Sequence, residues 1–152
     1  MKYKELFFNE LRRLMRNKGY MTEDLCSESD GGCAVIKDCR MVGRITGTGD
    51  LIPRPECGET LEDVEKLAEY TVEYVTAYSE APPFHALGLP EGFRKLSELN
   101  RIILTAKEMK GRGFEFVTCR WDYYKRGVEY VQYFYEYSAK KNFAERSGLL
   151  NQ

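Results

Sequence analysis

The sequence predicts an α+β fold, a small antiparallel sheet with helices packed on it. Three observations carry this. Residues 61–78 set apolar side chains at a helical period. Residues 101–135 hold three runs rich in β-branched and aromatic residues, separated by turn signals, which predicts a three-strand C-terminal meander. The order of elements is helix, weak strands, helix, short helix, three strands, helix, a grouping that places helices over an antiparallel sheet.

The first helix is expected over residues 2–18. Tyr3, Phe7, Leu11 and Leu14 fall on one face, and Leu6 and Met15 widen it. Arg12, Arg13, Arg16 and Lys18 gather near its C-terminal end, where cations favour the helix dipole, and Gly19 is a suitable cap. From residue 20 to 58 the helical period is lost among glycines and cysteines. Ala34 to Ile36 and Met41 to Thr46 are short strand candidates, joined as a hairpin around residues 37–40.

Thr60 and Asp63 form a capping-box-like start to the second helix. Leu61, Val64, Leu67, Ala68, Thr71, Val75 and Tyr78 trace its apolar face, and Pro82 and Pro83 end it. Pro90 opens a short helix expected to reach Leu99. Strands follow at residues 101–105, 114–121 and 128–135, with turns at 111–113 and 124–127. Ser138 then caps a last helix over residues 139–146, closed by Gly148.

A chain of 152 residues is expected to be a single domain, since this length can bury roughly 68–70% of its unfolded surface. Its segments are an amphipathic helix at 1–19, an irregular Cys/Gly-containing region at 20–58, and a main body at 59–152. No apolar run approaches the roughly 20 residues that span a bilayer, and the first residues lack a secretion-signal pattern, so a cytoplasmic location is expected. Cys26, Cys33, Cys39, Cys57 and Cys119 are odd in number, which favours free thiols in a reducing compartment.

Net charge is −1, but the charges are segregated. Residues 1–20 hold six basic and two acidic side chains, residues 59–80 seven acidic and one lysine, and residues 93–152 twelve basic and seven acidic. A local electrostatic interface follows more readily than global attraction to nucleic acid.

No catalytic constellation stands out. Cys26, Cys33, Cys39 and Cys57 could supply four thiolates, but their gaps of six, five and seventeen residues lack the close ligand pairs of structural zinc sites, so no metal or cofactor is expected. His85, the single histidine, sits in a proline loop with no local nucleophile. The glycines at 43, 47 and 49 lack the lysine and spacing of a phosphate-binding loop.

Two patterns suggest binding instead. Glu62, Glu65, Glu69 and Glu73 recur at helical spacing and should line one solvent face. Like charges at i,i+4 cost a few tenths of a kcal/mol per pair, which a basic partner would offset. An ordinary solvated face is the plainer reading of the same residues. The second pattern is aromatic: ten of the twenty-four residues from 114 to 137 are Phe, Trp or Tyr. Both faces of these strands are apolar, so helices supply both covers or a partner supplies one. Trp121, Tyr123 and Tyr124 are candidate partner anchors. With Arg12, Arg13, Arg16, Arg120, Lys125 and Arg126, such a sheet could alternatively bind single-stranded nucleic acid.

A set of C-terminal motifs carries a resemblance. Residues 80–83 (Glu-Ala-Pro-Pro), 96–104, 114–118 (Phe-Glu-Phe-Val-Thr), Trp121-Asp122-Tyr123, Gly127-Val128, Tyr133-Phe134 and 143–149 (Phe-Ala-Glu-Arg-Ser-Gly-Leu) together resemble small accessory proteins of conjugative elements and phages of gut Firmicutes. The likeness covers residues 80–149. It departs at Val131-Gln132, where the family often has glycine and histidine, and it does not extend to the cysteine region. The resemblance implies a mobile-element setting, and some proteins of similar origin look like anti-CRISPR inhibitors of type II RNA-guided nucleases. A non-enzymatic inhibitor that binds a host protein or ribonucleoprotein effector is therefore expected. The alternative is a nucleic-acid-binding accessory module.

Overall fold

In the computed structural model, described over residues 3–24, 31–55 and 61–149, the chain forms three helices and two four-stranded antiparallel sheets. The order is α1 (Lys4–Asn17), β1 (Met21–Asp24), β2 (Cys33–Lys37), β3 (Arg40–Ile45), β4 (Leu51–Pro53), α2 (Glu62–Glu80), β5 (Arg94–Leu99), β6 (Ile102–Met109), β7 (Gly113–Asp122), β8 (Gly127–Phe134) and α3 (Ala139–Ser147). The chain divides into two compact units, Met1–Thr76 and Ala77–Gln152, with the boundary inside α2. The sequence had placed the main body at 59–152.

In the first unit, α1 buries Phe7, Leu11 and Met15 of the predicted stripe together with Phe8, which lies outside it, while Tyr3, Leu6 and Leu14 are half-buried. Gly19 follows it at φ +89°, a left-handed turn that costs glycine little. The chain then enters a sheet of order β1-β2-β3-β4. Cys33, Ala34 and Val35 are buried in succession, as befits a strand paired on both sides. The expected β2–β3 hairpin is present. Its two-residue turn, Asp38 and Cys39, has φ of +52° and +62°, the backbone a primed turn requires. β1 and β4 were not anticipated, being only four and three residues long. Thr60, the expected cap of α2, lies outside the described residues. The apolar face of α2 is as predicted: Leu61, Val64, Ala68, Thr71, Val75 and Tyr78 are buried and Leu67 half-buried.

The second unit holds a sheet of order β5-β6-β7-β8, four strands where three were expected. The predicted short helix after Pro90 does not form; residues 94–99 are instead strand β5. Leu96 and Leu99 imitate a helical spacing, but Asn100 and Arg101, at φ +52° and +68°, make a tight turn that folds this segment onto β6. α3 ends at Gly148 in the left-handed conformation, as expected. Ser138, however, makes no side-chain cap, because its backbone is already helical rather than extended.

Cross-strand register separates the two faces of this sheet. Ala106, Phe116 and Phe134 share one face with Leu104 and Thr118. α3 covers that face: Thr118 donates to Asn142 Oδ1 at 2.6 Å, Arg146 donates to Thr118 Oγ1 at 3.0 Å, and Asn100 donates to the Ser147 carbonyl at 2.6 Å. Tyr78, at the end of α2, adds an edge-on contact with Phe114, centroids 5.1 Å apart. The opposite face presents Ile103, Val117 and Cys119, and Phe93 packs on them with Phe84, Leu89, Trp121, Val128 and Val131. The second cover is thus the proline-bearing loop before β5 rather than another helix.

Candidate functional site: an acidic helix face and a tyrosine-lined strand

α2 brings four predicted side chains together. Glu62, Glu65, Glu69 and Glu73 are all exposed, on the side of the helix away from its buried stripe, and all belong to the first unit. With a rise of about 1.5 Å per residue, the row extends roughly 16 Å, its i,i+4 members about 6 Å apart along the axis. Asp63 is occupied differently, accepting from the Tyr20 hydroxyl at 3.2 Å.

Behind the row, Tyr74 fixes α2 to α1. Its hydroxyl donates to Glu10 Oε1 at 2.7 Å, and Arg13 pairs with the same buried carboxylate. Burial, then the neighbouring Glu10 carboxylate and the bond to it, push the Tyr74 hydroxyl far above the ordinary phenol range. The acidic face therefore stands on a helix held by a satisfied buried network.

The aromatic candidates lie in the second unit and differ among themselves. Tyr123 and Tyr124, in the β7–β8 turn, are 66% and 99% exposed. Asp122 Oδ1 accepts the Tyr124 N–H at 2.9 Å, which shapes the turn. Trp121 is only half-exposed, its ring 6.4 Å from Phe84 within the loop-covered cluster. Its indole serves packing, and the sequence did not reveal this because Phe84 lies 37 positions away.

The cations proposed for nucleic acid are partly engaged. Arg12 pairs with Asp24, Arg13 with Glu10 and Arg120 with Glu129, while Arg16, Lys125 and Arg126 are exposed. Met1–Thr76 carries fifteen acidic and eleven basic residues, and Ala77–Gln152 nine and twelve. The segmental charge pattern thus becomes a difference between two folded units.

The sequence missed Tyr130. It sits in a β-bulge, where Thr118 pairs with Gln132 but Arg120 pairs with Glu129. Its φ is +52°, its ring is 65% exposed, and the Arg120 guanidinium lies over that ring at 4.8 Å. Tyr133 and Tyr135 nearby are 47% and 66% exposed. The sequence leads to both faces of this strand being covered, and it gives no sign of the bulge or of these exposed tyrosines.

Cys33 and Cys119 are buried, and desolvation pushes each thiol up to about 11, so both are neutral and unreactive near pH 7. Cys39 is exposed; Cys26 and Cys57 lie outside the described residues. Among the described residues no three His, Cys, Asp or Glu side chains are placed to hold a metal ion, and no helix is long and apolar enough to cross a membrane. Open clefts of about 390 Å³ each lie beside Phe8 and Arg12 and beside His85, Glu91 and Arg126. Comparison with protein families, curated proteins and solved structures returns no match.

Proposed function

We propose that this protein is a non-catalytic inhibitor carried by a mobile element. It would bind a host nucleic-acid-targeting complex, with a type II RNA-guided nuclease as the leading candidate. The observation that carries the reading is the row of Glu62, Glu65, Glu69 and Glu73, all exposed on one face of α2. Four carboxylates at regular axial spacing offer a basic groove the same repeating negative charge that a nucleic-acid strand offers it. Tyr123 and Tyr124 are accessible aromatic contacts on the second unit. The C-terminal resemblance supplies the setting.

The test is charge reversal. The protein is added to a purified type II effector, and cleavage of target DNA is measured with the natural chain and with a Glu62→Lys, Glu65→Lys, Glu69→Lys, Glu73→Lys variant. Inhibition by the natural chain and its loss in a variant with an unchanged circular dichroism spectrum are expected. Inhibition that survives reversal removes the acidic mechanism, and a natural chain without effect on type II effectors removes that target.

The alternative, a nucleic-acid-binding module, predicts affinity for single strands that falls steeply with salt. The pairing of Arg12, Arg13 and Arg120 with carboxylates weighs toward the inhibitor reading.

A further inference from the structure

Each sheet has two edge strands, and three of the four carry a feature that discourages pairing with another strand. β1 ends in Glu23 and Asp24. β4 has three residues and ends in Pro53, which lacks the N–H a ladder needs. β5 carries Arg94, Lys95 and Glu98 and is interrupted by a register shift at Lys95/Ser97. Charges, proline and bulges are the usual means of blunting an edge.

β8 is different. It is eight residues long, contains no Lys, Arg or Pro, and has a single charge, Glu129, which Arg120 of the neighbouring strand neutralises. Its first half is closed off. The Val128 N–H donates to the Leu87 carbonyl at 2.8 Å, and the Tyr130 bulge turns the backbone. In its second half, residues 131–134, Gln132, Tyr133 and Phe134 pair in regular register with β7, and among the described residues no strand lies on the outer side. Exposed tyrosines flank this stretch, with Tyr130 and Tyr133 in the strand and Tyr135 just beyond it. Tyrosine is enriched at protein interfaces because it buries a large ring and keeps a polar tip.

We propose that this half-strand is a homodimer interface, in which residues 131–134 of one copy pair antiparallel with the same residues of a second copy. A two-fold axis perpendicular to the strand brings identical segments together in antiparallel register, which supplies self-complementary backbone donors and acceptors. The charge pattern favours a second copy as the occupant. Identical strands bearing uncompensated charge would repel on self-approach, as β1 would through Glu23, whereas the one charge of β8, Glu129, is neutralised by Arg120. The interface is small, so the dimer is concentration-dependent rather than obligate. It is independent of the inhibitory reading, and neither result decides the other.

The experiment combines mass and amide protection on the full chain. Light scattering from low micromolar to about 1 mM should show the mass rising toward twice that of the chain, the range expected for a small transient contact. Over the same range, hydrogen exchange should slow at residues 131–134 and stay constant across β5. A Tyr133→Lys, Tyr135→Lys variant should remain at the mass of one chain with its melting curve preserved, while Tyr124→Lys should dimerise normally. A natural chain that stays at single mass throughout, or exchange at residues 131–134 that is independent of concentration, overturns the proposal. Should the double variant fold poorly, the exchange measurement on the natural chain decides alone.

Discussion

Arg146 donates a hydrogen bond to the carbonyl oxygen of Tyr130 at 2.8 Å, and so braces from α3 a residue whose backbone is left-handed at φ +52°. A non-glycine in that region costs roughly 1–2 kcal/mol. The same guanidinium also donates to buried Thr118, so one side chain ties helix, strand and bulge together. Arg146→Ala should lower stability by about 2 kcal/mol, read as a fall in the urea midpoint, because hydrogen bonds from a charged donor are lost. In a Tyr130→Gly background the cost should shrink, since glycine holds the bulge unaided, and a double-mutant cycle measures the difference.

Tyr74→Phe should destabilise the first unit by about 1–3 kcal/mol, because it removes the hydroxyl that satisfies Glu10 while the carboxylate stays buried. Chemical denaturation at pH 7 gives the value. The loss should be smaller when Glu10 is also replaced by an apolar residue of similar shape.

The buried thiols make stability fall in alkali. Cys33 and Cys119 have folded values near 11 against ordinary values of 9.0. Because the folded values are raised, the neutral thiols contribute fully below about pH 9. Their contribution is lost between about pH 9 and pH 11, as the unfolded chain ionises while the folded one does not. The effect should be at most about 3 kcal/mol per thiol. Melting temperatures at pH 8 and pH 10.5 test it, and Cys33→Ala with Cys119→Ala should flatten the difference.

Gly127 lies where a Cβ would come within 2.4 Å of the Leu87 carbonyl oxygen. Gly127→Ala should therefore push the covering loop from β8 and cost roughly 1–3 kcal/mol, as overpacking generally does. Faster exchange of the Val128 amide, which donates to that carbonyl, would accompany the loss.

Neutralising the acidic row should act oppositely on stability and on binding. Glu65→Gln with Glu69→Gln relieves like-charge repulsion along α2 and should raise stability by a few tenths of a kcal/mol. On the proposed inhibitory reading, the same pair should also weaken inhibition of a type II effector. A helix face kept acidic at some cost to stability would give that signature, whereas an ordinary solvated face would show the first effect without the second.

The sequence made α1, α2, α3 and the strands β6 to β8 legible because each is long enough for its period to repeat. β1 and β4 were hidden by brevity, and β5 by two leucines at a helix-like interval behind Pro90. The exposure of the four glutamates was also legible, since it follows from the opposite face of α2 being buried. The half-burial of Trp121 and the bulge at Tyr130 were not. Both depend on partners far along the chain, Phe84 for the indole and Arg146 for the carbonyl.

Every ladder in both sheets joins strands that are consecutive in the chain. β2 meets β3 across two residues, β5 meets β6 across two, and β7 meets β8 across four. Closing such short loops sacrifices little chain entropy, so each sheet can zip up one hairpin at a time without waiting for a distant segment to arrive. The expected result is rapid folding for a protein this rich in strands.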